Sequence, residues 1–200
     1  MTHRYIRFAT WSVLAIVLAA CGSPPKEHFY TLSAGASPEN AASHTMDGLR
    51  IAVGPVTLPE VVDRPQLVVR QGANRVLVLE QQRWAEPLKA AIPRVIAENL
   101  AQILGTRQVS AYPQSAGTDA DYRVAVDIQR YESSLGGMVM IDALWTVRSA
   151  PGVKPRTGQS MARESAGGAD YDALVSAQSR ALATISREIA EAIRAESSPK

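Results

Sequence analysis

The chain has 200 residues, with 21 lysines and arginines against 19 aspartates and glutamates, for a formal net charge of +2. A hydrophobic share of 46% is ordinary for a globular domain, and roughly 150 folded residues can bury one core without disulfides. There is no run of basic residues and no basic helix face, which excludes a nucleic-acid binder, and Cys21, the only cysteine, excludes a disulfide within the chain.

Residues 1–20 read as a signal peptide. Arg4 and Arg7 form a short basic segment, and Phe8 to Ala20 follow as an apolar run broken only by Thr10 and Ser12. That run falls short of the ~20 apolar residues a spanning helix needs and matches a secretory segment followed by small residues. Leu18-Ala19-Ala20-Cys21 resembles the bacterial lipobox, which implies cleavage before Cys21 and a diacylglyceryl group on its thiol. Lipidation would also remove an otherwise free thiol from an exported protein. Gly22, in place of aspartate, points to the outer membrane under the enterobacterial sorting rule. Cleavage would leave 19 basic and 19 acidic residues, so the mature chain carries no formal net charge.

Phe29 to Leu32 reads as a short strand, and residues 33–48, polar and small, as a flexible loop. If that strand joins the sheet, seven residues separate lipid from domain, a reach of roughly 25 Å at ~3.3–3.6 Å per residue. Leu49 to Val53 alternates and meets Gly54-Pro55, predicting a strand that ends in a turn. Pro55, Pro59 and Pro65 then make residues 54–65 an ordered irregular connection or an edge, because proline lacks the N–H that a central strand needs. Gln66 to Arg70 and Val76 to Glu80, separated by residues 71–75, form a hairpin pattern.

Leu88, Ile92, Val95, Ile96, Leu100, Ile103 and Leu104 recur at helical spacing, with Pro87 suited to the first turn and Gly105 to the position past the end. Pro93 cannot bond to the carbonyl of Lys89, so a kink or a late start is expected. Val109 to Tyr112 reads as a short strand. Tyr122, Val124, Val126 and Ile128 alternate with polar or small residues, as do Val139, Ile141, Ala143, Trp145 and Val147 after the Gly136-Gly137 turn. Both are patterns of half-buried strands, and Gln159 to Glu164 extends the meander. Asp170 can cap a final helix whose apolar face runs through Tyr171, Leu174, Val175, Leu182, Ile185, Ile189 and Ile193. The fold class is α+β, with two amphipathic helices packed on a mainly antiparallel sheet.

Chemistry is sparse in the folded part. After cleavage the histidines are His28 and His44, in the tether and the loop, so the domain offers no Ser-His-Asp or Cys-His arrangement and no usual zinc site. No Gly-rich phosphate loop and no G-x-S-x-G are present. Catalytic residues, metal sites and cofactors are therefore expected to be none. Glu60 and Asp63 read as loop carboxylates, with Asp63 bonding backbone or Arg64, and Asp127 and Asp142 as exposed strand residues. Trp145 continues a core face. Trp84 can staple the first turn of the helix, and Val61-Val62, in a proline-pinned connection, can mark a partner site or be buried.

Three segments, Gly54-Pro-Val-Thr-Leu-Pro59, Val62-Asp-Arg-Pro-Gln-Leu-Val-Val-Arg70 and Arg83-Trp-Ala-Glu-Pro-Leu88, together resemble the signatures of ABC-transport auxiliary lipoproteins of the PqiC type. Phe29 to Leu32, Tyr112-Pro113 and the helix beginning near Tyr171 fit the same pattern. The resemblance implies a non-enzymatic outer-membrane component of an intermembrane lipid-transport system. Its implied partners are an MCE-domain conduit protein with an inner-membrane permease, and further copies of itself in a ring. The rival class is a lipoprotein that activates a peptidoglycan synthase or assists envelope assembly, which should lack the Asp63-Arg-Pro-Gln66 run. The candidate partner or subunit interface comprises Pro59, Val61, Val62, Asp63, Arg64, Pro65, Gln66 and Trp84. The expected organisation is a signal peptide (1–20), a lipidated tether (21–28), a short strand and flexible loop (29–48), one domain (49–195) and a disordered tail (196–200).

Overall fold

The computed structural model describes residues 25–35, 46–111, 119–149 and 151–197. The signal peptide, Cys21, Gly22, Tyr112-Pro113, His44 and most of the expected flexible loop lie outside the described residues.

Eight strands and two helices follow in the order β1 (His28–Tyr30), β2 (Ile51–Thr57), β3 (Gln66–Arg70), β4 (Val76–Trp84), α1 (Leu88–Leu104), β5 (Val109–Ala111), β6 (Tyr122–Ser133), β7 (Met138–Arg148), β8 (Arg156–Ser165) and α2 (Tyr171–Ser197). The α+β class is as expected. The strands form two sheets, ordered β1-β4-β3 and β5-β2-β6-β7-β8. Both sheets are mixed: β1 on β4, and β5 and β6 on β2, are parallel pairs, while β3–β4, β6–β7 and β7–β8 are antiparallel. The parallel pairs arise because long connections, α1 among them, return the chain to the same end before the next strand, whereas tight turns give antiparallel neighbours.

Strand alternation sets the core. Val139, Ile141, Ala143, Trp145 and Val147 of β7, with Val124, Val126 and Ile128 of β6, are buried. On the helices, Ile92, Val95, Ile96, Leu100 and Leu104 of α1 and Leu174, Leu182, Ile185, Ile189 and Ile193 of α2 are fully buried, matching the spacing read from the sequence. Each such side chain contributes about 1.5–3 kcal/mol on leaving water. Asn99 donates to Ser186 Oγ at 3.3 Å and Arg194 to the Ile103 carbonyl at 2.6 Å, so the two helices lie side by side and run the same way. Gly105, left-handed at φ 67°, ends α1, and Asp170 Oδ1 accepts from Ala173 N at 2.7 Å to cap α2.

Four expectations need correction. Strand β2 does not end at Gly54-Pro55 but runs on to Thr57, with a register shift between Val53 and Val56. Proline is tolerated there because β5 pairs only with residues 51–53, so beyond them β2 has β6 on one side alone. Helix α1 starts at Leu88 and continues through Pro93 rather than starting late; the carbonyl that Pro93 leaves belongs to exposed Lys89, where water can serve it. Strand β1 spans His28–Tyr30, so Thr31 and Leu32 lie beyond it. Finally, residues 33–35 of the expected flexible loop are held in place: Ser33 N donates to Ser179 Oγ at 3.2 Å and Gly35 N to Asn99 Oδ1 at 3.0 Å.

Candidate functional site

The connection from β2 to β3 carries six of the eight candidate interface residues, Gln66 opens β3, and the structure brings Trp84 to them. Trp84 N donates to the Pro65 carbonyl at 2.7 Å, which seals the end of the β3–β4 hairpin. Within the connection, Val62 N donates to the Pro59 carbonyl at 3.1 Å and Arg64 N to the Val62 carbonyl at 2.9 Å. Two short-range bonds and two flanking prolines, which fix φ, therefore hold a compact turn.

The side chains divide into two groups. Val62 and Trp84 are buried, so they are the foundation of the loop and not its contact surface. Val61, Arg64 and Pro65 are exposed, while Pro59, Asp63 and Gln66 are half-buried. Asp63 forms an ion pair with Lys89 in the first turn of α1, and not with Arg64. Gln66 Nε2 donates to Glu80 Oε2 at 3.1 Å across the hairpin.

Between this loop and the start of α1 lies a cleft of about 230 Å³ walled by Asp63, Arg64, Pro65, Trp84, Glu86 and Pro87, among others. Glu86 is not free to move in it. Arg94 donates to Glu86 Oε1 at 2.6 Å, to Glu98 Oε1 at 3.0 Å and to the Leu32 carbonyl at 3.0 Å. The hydrogen bond to Glu86 holds the Arg94 guanidinium above its ordinary pKa even though partial burial opposes the charge. On the other side of Pro87 a second cleft, about 290 Å³, is lined by Gly54, Pro55, Val56, Lys89, Ala90 and Pro93. The first turn of α1 thus stands between two shallow clefts with Pro55, Pro65, Pro87 and Pro93 in their walls.

In the walls of these clefts Asp63 and Lys89 form one ion pair, and Glu86 forms another with Arg94, while proline walls lose little entropy when a partner binds. Among the described residues no group of three or more His, Cys, Asp and Glu could hold a metal, and no helix is long and apolar enough to cross a membrane. Sequence spacing could not separate Val61 from Val62, because in an irregular turn neither period applies. It also missed Lys89 and Arg94, whose positions depend on the helix packing.

A family model described as ABC-type transport auxiliary lipoprotein component matches residues 30–190. No curated protein matches. Among solved structures, an uncharacterized protein superposes with a TM-score of 0.67 at 18% identity, over 84% of this chain and 99% of its own. Protein XCC0632 from Xanthomonas campestris superposes with a TM-score of 0.66 at 16% identity, over 85% of this chain and 100% of its own. At these identities the two structures establish the shared fold, and the family match spans β1's last residue through most of α2. The chain belongs to the family of ABC-type transport auxiliary lipoprotein components.

Proposed function

We propose that this protein is the outer-membrane lipoprotein subunit of an MCE-associated lipid-transport system, anchored through Cys21 and docking the periplasmic conduit. The observation that carries the reading is the braced, proline-walled surface made by residues 59–66 and the first turn of α1. Its buried residues, Val62 and Trp84, fix the shape. Its exposed ones, Val61 and Arg64, are the contact groups for the conduit or for a neighbouring copy in a ring. Asp63 acts indirectly, by tying the loop to Lys89. Lipid at Cys21 supports the placement, since the lipobox ends seven residues before β1. The domain's role is then positional, and no residue of it is assigned a catalytic step.

The test is co-purification of the MCE-domain protein with the lipidated chain. Arg64→Glu with Val61→Asp should abolish recovery of the partner while the circular dichroism and melting temperature of the domain stay unchanged. Undiminished recovery would remove this loop from the interface. Cys21→Ser should give a folded, soluble periplasmic protein that no longer supports transport, and full transport by that form would show the anchor to be dispensable.

A further inference from the structure

Four features converge on one end of the molecule. Arg70, the last residue of β3, donates to the carbonyls of Gly72 and Ala73 (3.0 and 2.6 Å) and to Glu132 Oε1 (2.7 Å), so the β3–β4 hairpin tip is braced against the end of β6. The β6–β7 turn follows directly, and an added Cβ on its Gly136 would lie 3.7 Å from Ala169 Cβ, just before α2. Tyr171, the first residue of α2, packs edge-on against Tyr30 of β1 with ring centroids 6.3 Å apart. From Tyr30 the chain runs along α2 to Ser179. The residues that precede β1 therefore leave the domain at the end that carries the hairpin tip and the β6–β7 turn.

The apolar surface is concentrated there. Nine large hydrophobic side chains are exposed among the described residues, and four of them, Val76, Leu77, Leu135 and Met138, adjoin this end. Charge is nearly balanced: Arg70 pairs with Glu132 and Arg83 with Glu27, while Lys26 and Arg75 stand against Asp170 and Asp172. The chain length fits as well. Strands β1 and β4 are parallel with His28 level with Gln82, so Val76 lies six residues back towards the tip, about 20 Å at ~3.3 Å per residue. Residues 21–27 reach roughly 25 Å. A lipid on Cys21 can thus enter a bilayer that the hairpin tip touches, and cannot hold the domain much farther away.

We infer that this end, with the β3–β4 hairpin tip and the β6–β7 turn, is a membrane-contact surface that seats the domain on the zwitterionic leaflet holding its own anchor. The inference rests on the reading of Cys21 as the lipidated residue. Val76, Leu77, Leu135 and Met138 enter the boundary between headgroups and acyl chains, and the balanced charge makes the contact insensitive to salt. Two contact points beside the anchor fix the tilt of the domain, which a flexible tether alone would leave undetermined.

The experiment uses the full lipidated chain in phosphatidylcholine vesicles containing a spin-labelled quencher lipid. Because Cys21 is the only native cysteine, Ala73→Cys at the tip and Arg107→Cys, between α1 and β5 at the opposite end, can each be labelled uniquely with a fluorophore. Flotation with the vesicles scores anchoring by itself. The expected result is flotation of both forms, with quenching several-fold stronger at position 73 than at 107 and unaffected by salt. Val76→Asp with Leu77→Asp, both exposed in the fold, should still float but lose that difference. Flotation with equal quenching at both positions would overturn the membrane-contact surface and leave the anchor standing. Failure to float would overturn the anchor and the surface with it. A tip label shielded equally without lipid, with tips cross-linking between copies, would assign the surface to another copy of the chain and overturn the inference.

Discussion

Trp145 on β7 sits across from Gly158 on β8, and its indole lies over the glycine: a Cβ built there would be 2.1 Å from Trp145 Cζ2. The indole N–H donates to Ser160 Oγ at 2.9 Å, and the serine hydroxyl donates to Glu188 Oε2 at 2.6 Å, which links β7, β8 and α2. Gly158→Ala should therefore cost about 1–3 kcal/mol through overpacking, read as a lower midpoint in chemical denaturation. Ser160→Ala should cost about 1–3 kcal/mol by stranding the buried indole N–H. The alternation along β7 already placed Trp145 on the core face. The role of Gly158 was not legible, because it depends on which residue of a neighbouring strand faces the tryptophan, and register is a property of the pair. The same limit explains Asp63: its partner Lys89 lies 26 positions away in sequence, across a hairpin.

At the scale of elements, apolar periodicity told most and polar seams told least. The buried faces of α1 and α2 followed from spacing alone. Residues 33–35 read as part of a flexible loop because they are small and polar, yet the amides of Ser33 and Gly35 find acceptors on the helices. Asn99, fully buried, accepts from Gly35 N and donates to Ser186 Oγ, and Ser179 accepts from Ser33 N. Asn99→Leu should strand those groups and cost about 1–3 kcal/mol, with faster hydrogen exchange at the Gly35 amide than at the amides of β7. Another element, the β3–β4 hairpin tip, depends on Arg70. The hydrogen bond from Arg70 lowers the pKa of Glu132 below its ordinary value, and partial burial only reduces that effect. A carboxylate whose folded pKa is depressed adds stability above its unfolded pKa and loses it as pH falls through the folded one. Stability of the domain should thus fall on acidification below the ordinary glutamate range, and Arg70→Gln should flatten that slope. An unchanged slope in denaturation curves taken across the acid range would show that this pair does not couple to folding.

For the molecule as a whole, the parallel course of α1 and α2 and the shared direction of β2, β6 and β8 give the domain two unlike ends. One end is where the residues that precede β1 leave the domain. The other carries Arg50 and Asp121, joined by an ion pair at 3.1 Å, and a broad open hollow that includes Met46, Leu49, Tyr122 and Ser197. The segment of residues 59–66, proposed above as the docking surface, lies beside the start of α1. If residues 59–66 dock the conduit as proposed, they are delivered at a fixed height only while the segment between Cys21 and β1 stays short. Inserting about 20 glycine and serine residues after Lys26 would add roughly 25 Å of flexible span while leaving every described contact from β1 onward intact. We expect unchanged melting temperature, unchanged fractionation with the membrane, and a large loss of transport-dependent envelope resistance. Height and orientation would then be part of the function, since the fold, the anchor and the docking residues would all be present and only their spacing altered. Full resistance in the inserted form would instead mean that the conduit captures the domain wherever the anchor lets it roam, and that residues 59–66 alone govern docking.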